Sequence, residues 1–174
     1  MFFIETERLQ LIPLTHDLLM LCQQDRATME AQLGLNTSDM CIDPLYITEL
    51  EDALTHFWIP MTAAHPDRYQ WYTNWEIVLK EERLAIGGIG FIGYPDENGQ
   101  TETGFMLDKN FHSKGYAKEA LTGITNWAFS HEEVKTIIAK TAEDNLPSRT
   151  LLERAGFMPV GQEADLIIYS KQRV

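Results

Sequence analysis

Between Glu102 and Ala120, in the run ETGFMLDKNFHSKGYAKEA, the apolar period of the chain changes from two to about 3.6 across one short loop. Phe105 and Leu107 alternate with Glu102, Gly104 and Asp108, the pattern of a strand with one packed face. From Ala117 onward Ala117, Ala120, Leu121, Ile124, Trp127 and Ala128 fall on one helical stripe. Lys114-Gly115-Tyr116-Ala117 lies between the two patterns. A strand that feeds a glycine-containing loop and then a helix start aims backbone N–H groups and the positive helix end at one spot. That is an anion site, and phosphate is the usual anion. The rest of the chain reads as support for this turn or cover over it.

On the N-terminal side, Glu7 to Leu14 alternates as a first strand. Thr15 then caps a helix carrying Leu18, Leu19, Leu21 and Cys22, which ends near Gly34 with room for a break. Turn composition over residues 35–46 precedes a second helical stretch, expected to start near Thr48 with Glu51 three residues later. Leu50, Ala53, Leu54, Phe57, Trp58 and Met61 give it an apolar stripe, and Pro60 marks a kink or its end. From Tyr69 the alternation of Trp71, Thr73, Trp75, Ile77 and Leu79 predicts a strand. Leu84 to Tyr94 follows as the next, and the strand of the opening stretch completes an antiparallel meander. After the helix of residues 116–130, Val134 to Thr141 is β-rich. Asn145-Leu146-Pro147-Ser148 starts a last helix, Gly156 ends it, and two short strands close the chain. The order β-α-α-β-β-β-α-β-α-β-β describes a mixed α/β fold, read as a single domain over residues 1–174. Gly88-Ile89-Gly90-Phe91-Ile92-Gly93 matches the dinucleotide fingerprint by letter, but it lies inside a strand and no helix follows it. It therefore marks a strand with small residues where another element packs closely.

A net charge of −12, with pI near 4.7, argues against a nucleic-acid partner, since phosphate backbones demand a basic face, and suits a cationic substrate such as an amine. No apolar run approaches the ~18 residues that span a membrane. The first residues, MFFIETERLQL, lack the basic region and apolar core of a signal segment, so a cytoplasmic protein is expected. Two cysteines are too few for a disulfide framework, and the five histidines show no paired metal spacing, so no metal is expected.

Several pieces in order resemble the GNAT superfamily of N-acetyltransferases, and within it the branch of ribosomal-protein N-terminal acetyltransferases. They are Glu5-Thr6-Glu7-Arg8-Leu9, Glu102-Thr103-Gly104-Phe105-Met106-Leu107, His112-Ser113-Lys114-Gly115-Tyr116-Ala117, Glu119-Ala120, and Asn145-Leu146-Pro147-Ser148 through Ala155-Gly156-Phe157. The resemblance implies a central sheet that splays after the strand at Glu102, with acetyl-CoA as acyl donor. Backbone N–H groups of Ser113, Lys114, Gly115, Tyr116, Ala117 and Lys118 would then hold the pyrophosphate. Backbone groups of Met106 and Leu107 would pair with the pantetheine amides, one of them polarising the thioester carbonyl. Asn145 would contact the CoA arm, and Lys114, Lys118 and Arg149 would neutralise phosphates. The family has Gln or Arg at the first loop position, where this chain has His112.

In that family an amine attacks the thioester directly, so a base and a proton source for the thiol are what remain to be found. Glu102 matches the base, with Glu76 in reserve, and Ser148 matches the proton donor. The resemblance implies that the acceptor is a small amine or a protein N-terminus, and that the helices of residues 16–64 line its site. A homodimer fits this reading as well as a monomer does. The rival readings are an acyltransferase that uses a larger acyl-CoA, given space around Gly88 and Gly90, and a CoA-binding sensor without catalysis.

Overall fold

The computed structural model describes all 174 residues. Strands β1 (Ile4–Glu5) and β2 (Leu9–Pro13) open the chain. Helices α1 (His16–Gln24), α2 (Arg26–Gln32), α3 (Pro44–Ala53) and α4 (Ile59–Ala64) come next. The meander β3 (Asn74–Leu79), β4 (Leu84–Phe91) and β5 (Gln100–Leu107) leads to α5 (Tyr116–Phe129) and β6 (Thr136–Ala142). Then α6 (Leu146–Arg154), β7 (Met158–Glu163) and β8 (Leu166–Gln172) finish the fold. The eight strands form one mixed sheet in the order β1-β2-β3-β4-β5-β6-β8-β7, antiparallel except at β5–β6.

Strand alternation sorts the core onto two faces. Leu9, Leu11, Trp75, Ile77, Ile89 and Phe91 pack with Ala120, Leu121, Ile124 and Ala128 of α5 and Leu152 of α6. Their neighbours on the same strands, Ile12, Val78 and Ala85, point the other way and pack with Leu33, Leu35 and Met40 from the early segment. Helices α1, α2 and α4 therefore cover the second face, where Leu14, Leu18, Leu19 and Met29 form a smaller core with Trp58 and Ile59 against it.

From β3 onward the expected order holds; before it the structure adds the two-residue strand β1 and divides each of the two expected helices in two, with local causes. The first helix breaks at Asp25, whose extended backbone (φ −163°) ends α1 while its carboxylate caps α2 at Thr28. The second helical stretch starts at Pro44, capped by Asp43, and not at Thr48. A proline in the first turn costs no hydrogen bond, so the helix begins at the earlier signal. Pro60 does not end this stretch. A π-helical turn over Leu54–Trp58 widens the coil, with the Ile59 N–H reaching back to the Leu54 carbonyl, and the chain passes the proline into α4. Residues 66–71 form two 3₁₀ turns joined at a kink at Arg68, in place of the strand expected from Tyr69. Trp71 is buried by these turns and not by strand alternation.

The glycines of the fingerprint-like run lie in or just after β4. A Cβ on Gly87 would meet the Met106 carbonyl, and one on Gly88 would meet the Asn74 amide.

Candidate active site

β5 and β6 pair only at Gln100–Thr136, Thr101–Ile137 and Glu102–Ile138. Beyond that point β5 continues to pair with β4, through Thr103–Phe91 to Leu107–Gly87, while β6 turns to β8 along its whole length. A splay thus opens between β5 and β6 after Glu102.

The direction of each backbone group on β5 follows from two bonds. The Glu102 carbonyl accepts from Ile92, and the Asp108 N–H donates to Ile86, both on the β4 side. Alternate residues share a direction. Hence Gly104 and Met106 bond toward β4, and Phe105 and Leu107 present their N–H and C=O to the splay. This corrects the expectation for Met106: the backbone pair facing the gap is Phe105 and Leu107.

Asp108 ends the strand. It is buried, and its carboxylate caps the short 3₁₀ turn at Asn110 (2.9 Å) and accepts the Cys41 N–H (3.0 Å). The loop that follows needs left-handed backbone at Ser113 (φ 63°) and at Gly115 (φ 84°), the residue before α5. No protein acceptor takes the backbone N–H of Ser113, Lys114, Gly115, Tyr116, Ala117 or Lys118. The first intrahelical bond at this end runs from Glu119 to the Gly115 carbonyl. Six consecutive free donors at the start of a 14-residue helix are a ready anion cradle.

His112, at the loop's first position, places Nε2 3.0 Å from the Leu107 carbonyl, so it ties the loop back to the last gap-facing group of β5. Lys114 and Lys118 are exposed beside the cradle. Arg149 is committed elsewhere, donating to the Tyr169 hydroxyl (3.2 Å) and the Glu143 carbonyl (2.9 Å), and the bond to Tyr169 raises the guanidinium pKa above its ordinary value.

Sequence reasoning missed how the loop is braced. The Arg8 guanidinium donates from Nε to Glu119 (2.7 Å) and from Nη1 to the Lys114 carbonyl (3.0 Å), and it lies 4.4 Å over the Tyr116 ring. Thr6 donates to the same Glu119 carboxylate at 2.6 Å, and the Arg8 N–H at 2.7 Å. The run Glu5 to Leu9 and the residue Glu119 both stand in the family resemblance, but their pairing spans more than a hundred residues and has no local signature. A groove of about 720 Å³ starts at Gly115 and Lys118 and follows α5 past Thr122 and Asn126.

Glu102 lies on the face covered by the early helices, because Thr101 and Thr103 are buried on the other. Its side chain is 25% exposed, with the Lys140 ammonium of β6 3.7 Å away. Gly104, the next residue on that face, has no atom within 4 Å of where a Cβ would stand. Asn145 caps α6 by accepting the Ser148 N–H at 3.2 Å, and its amide N–H groups have no protein partner. The Ser148 hydroxyl has none either. Since α6 packs on the α5 face, Glu102 and the helix bearing Ser148 flank the splay from opposite sides.

Glu76 is not a free base. It is buried and bound by Arg26 through Nη1 (3.2 Å) and Nη2 (2.6 Å), and Asn74 donates a further bond at 2.9 Å. Arg26 Nε also lies 3.1 Å from the buried Glu30, without alignment for a hydrogen bond. Burial opposes the Arg26 charge, but Glu76 outweighs it and raises the guanidinium above its ordinary value. Of the aromatic residues leading into β3, Trp71 and Trp75 belong to the core, while Tyr72 stacks on His65 at 4.4 Å. No group of three His, Cys, Asp or Glu side chains is placed to hold a metal ion, and no helix is long and apolar enough to cross a membrane.

The pattern of the acetyltransferase (GNAT) domain matches residues 8–158. The uncharacterized N-acetyltransferase YjdG of Bacillus subtilis (strain 168) is 45% identical over 87 residues, which are 50% of this chain and 52% of that one. The chain spans about half the length of the curated relatives it matches. Among solved structures, the acetyltransferase (GNAT family) from Bacillus anthracis superposes with a TM-score of 0.66 at 20% identity over 99% of each chain. RimL, a ribosomal L7/L12 alpha-N-protein acetyltransferase in complex with coenzyme A, does so at 0.69 and 17% identity over 98% of each. At these identities the structures speak for the fold, and the family pattern, which runs through β5, the splay and the loop, speaks for descent: the chain belongs to the GNAT acetyltransferase family.

Proposed function

We propose that this chain transfers an acetyl group from acetyl-CoA directly to a primary amine, either a small amine or a protein N-terminus. The observation that carries the reading is the run of six acceptorless N–H groups from Ser113 to Lys118, next to a strand whose Phe105 and Leu107 backbone groups face an open splay. A diphosphate with a flexible amide-bearing arm fits both parts: the pyrophosphate on the cradle, the pantetheine amides along β5. The free amide N–H groups of Asn145 offer a further contact. The neighbour solved with coenzyme A has the same fold, which supports this placement.

An arm laid along β5 from the loop brings its thioester toward Glu102. The amine nitrogen attacks the carbonyl carbon, whose oxygen a gap-facing N–H of β5 polarises. As the C–N bond forms and the C–S bond breaks, Glu102 takes the amine proton, directly or through water. The Ser148 hydroxyl donates a hydrogen bond to the departing sulfur and relays a water proton to it, so that serine ends as it began; the thiol's ordinary pKa of ~8.5 asks for little help. An overall charge of −12 favours a cationic acceptor.

Acetyl-CoA at ~100 times its Kd should raise the melting temperature by several degrees, since binding then adds ~2.7 kcal/mol. Thiol release against a panel of small amines and N-terminal peptides should find an acceptor. Glu102→Gln should lower turnover ~100-fold or more near neutral pH, with the loss narrowing at high pH and acetyl-CoA affinity unchanged. The absence of any acetyl-CoA stabilisation would sink the reading, and wild-type turnover in Glu102→Gln would place the base elsewhere.

A further inference from the structure

β6 directs Ile137 and Ala139 into the core and Lys140 to the opposite face, the one Glu102 occupies. Because pairing between β5 and β6 stops at Glu102–Ile138, Lys140 stands on the far lip of the splay, one same-face position beyond the last pair. From there its ammonium lies 3.7 Å from Glu102 and 3.2 Å from Glu163, the last residue of β7, reached across β8. In a chain with 26 carboxylates and 14 lysines and arginines, this one cation is shared by two carboxylates at the proposed reaction centre. No packing demand explains the arrangement, since Lys140 and Glu102 are about a quarter exposed and Glu163 mostly so.

We propose that Lys140 is a positioning residue for Glu102. Its charge steadies and aims the carboxylate at the mouth of the splay, and Glu163 holds the ammonium back from it. This rests on the reading of Glu102 as the base. A base needs a free lone pair toward the amine. An ammonium in full hydrogen-bond contact would occupy that lone pair, whereas one drawn away by Glu163 acts through its field alone. The ion pair with the Glu163 carboxylate and the charge of Glu102 together raise the pKa of the Lys140 ammonium above its ordinary value, so it stays charged wherever the carboxylate works. One arginine on each of the flanking helices α2 and α6 is committed elsewhere. Arg26 serves Glu76 and Glu30 over β3, and Arg149 on α6 serves Tyr169 and Glu143. On the β4 side the Glu102 carbonyl accepts the Ile92 N–H at 2.9 Å.

The test is a carbon-13 titration of the Glu102 carboxyl resonance in the full chain, assigned by its loss in Glu102→Gln. Lys140→Met, which removes a cation beside the carboxylate, should move the titration midpoint up, and Glu163→Gln, which removes a like charge and releases the ammonium, should move it down. Lys140→Met with Glu163→Gln should follow Lys140→Met. The acid limb of kcat, read by thiol release with the best amine of the panel, should move in the same directions. Because Lys140 and Glu163 are partly exposed, all variants should keep the wild-type melting temperature within about 2 °C. Midpoints that do not move in opposite directions would overturn the positioning role whether or not Glu102 is the base. If the midpoints move and the kinetic limb does not follow, Glu102 is not the base, and Lys140 has no part in catalysis.

Discussion

The loop after β5 and the helical segment from His16 to Ala64 flank the same sheet but hold their shapes by different means. The loop offers a ligand main-chain groups: six N–H donors and the edge of a strand. What it needs from its sequence is conformational permission at two positions and a brace. The helical segment offers side chains, and its fit to the sheet depends on a buried charge cluster, with Glu76 on β3, Arg26 and Glu30 on α2, and Ser38 donating two 2.8 Å bonds to Glu30. Main-chain recognition can survive a change such as His112 at the loop's first position. A buried charge cluster cannot lose a member cheaply. Cofactor binding at the proposed cradle and helix docking should therefore fail independently.

The strongest way to break that independence is Glu76→Ala. It leaves Arg26 with one misaligned acidic neighbour in a site where Glu76 is 1% exposed. Removing one partner of a buried pair costs ~3 kcal/mol, which for a chain of this length is roughly 6–12 °C in melting temperature. The increment that acetyl-CoA adds should be unchanged, because no cradle residue touches the cluster. Scanning calorimetry with and without acetyl-CoA decides. Loss of the ligand increment together with the stability would show that the two regions are coupled.

Gly115→Val should do the reverse. A β-branched residue at φ 84° is strained by ~1–2 kcal/mol, and its Cβ would lie 3.2 Å from the Arg8 guanidinium that braces the loop. The melting temperature of the free protein should fall by a few degrees, while acetyl-CoA affinity by titration calorimetry falls at least tenfold. An affinity within twofold of wild type would mean that the cradle is not where the cofactor binds.

What was legible in the sequence follows the same division. The change of period around Lys114-Gly115, the Asn145 cap and the Gly156 helix end are local signals, and the structure uses each one. Thr48 misled because Asp43-Pro44 is also a good start and nothing between the two stops a helix. Tyr69 to Trp71 alternates like a strand, yet a 3₁₀ turn buries Trp71 as well as a sheet would. Met106 and Phe105 are equal candidates until two hydrogen bonds to β4 fix which one faces the splay. The Arg26–Glu76 and Lys140–Glu102 pairs join residues tens of positions apart, and periodicity carries no information about which charges will meet.

The brace is where the two modes overlap, because a main-chain loop is held there by side chains. Burial works against the Glu119 charge. The Thr6 hydroxyl, the Arg8 N–H and the Arg8 guanidinium outweigh it and hold this carboxyl below the usual carboxylate range. A group with a lowered folded value adds stability that is present above its unfolded value, near 4.5, and is lost as pH falls through the folded one. Arg8 is 42% exposed, so the contribution is that of a partly solvated pair, ~0.5–1 kcal/mol. Glu119→Gln should therefore melt a few degrees below wild type at pH 7, and the gap should close as both are taken toward pH 3. Its acetyl-CoA affinity should fall less than that of Gly115→Val, since the donors survive and only their brace is loosened. A gap that is the same at every pH would mean that Glu119 holds the loop by shape alone. A full loss of affinity would mean that the cradle, local in sequence, depends for its form on the opposite end of the chain.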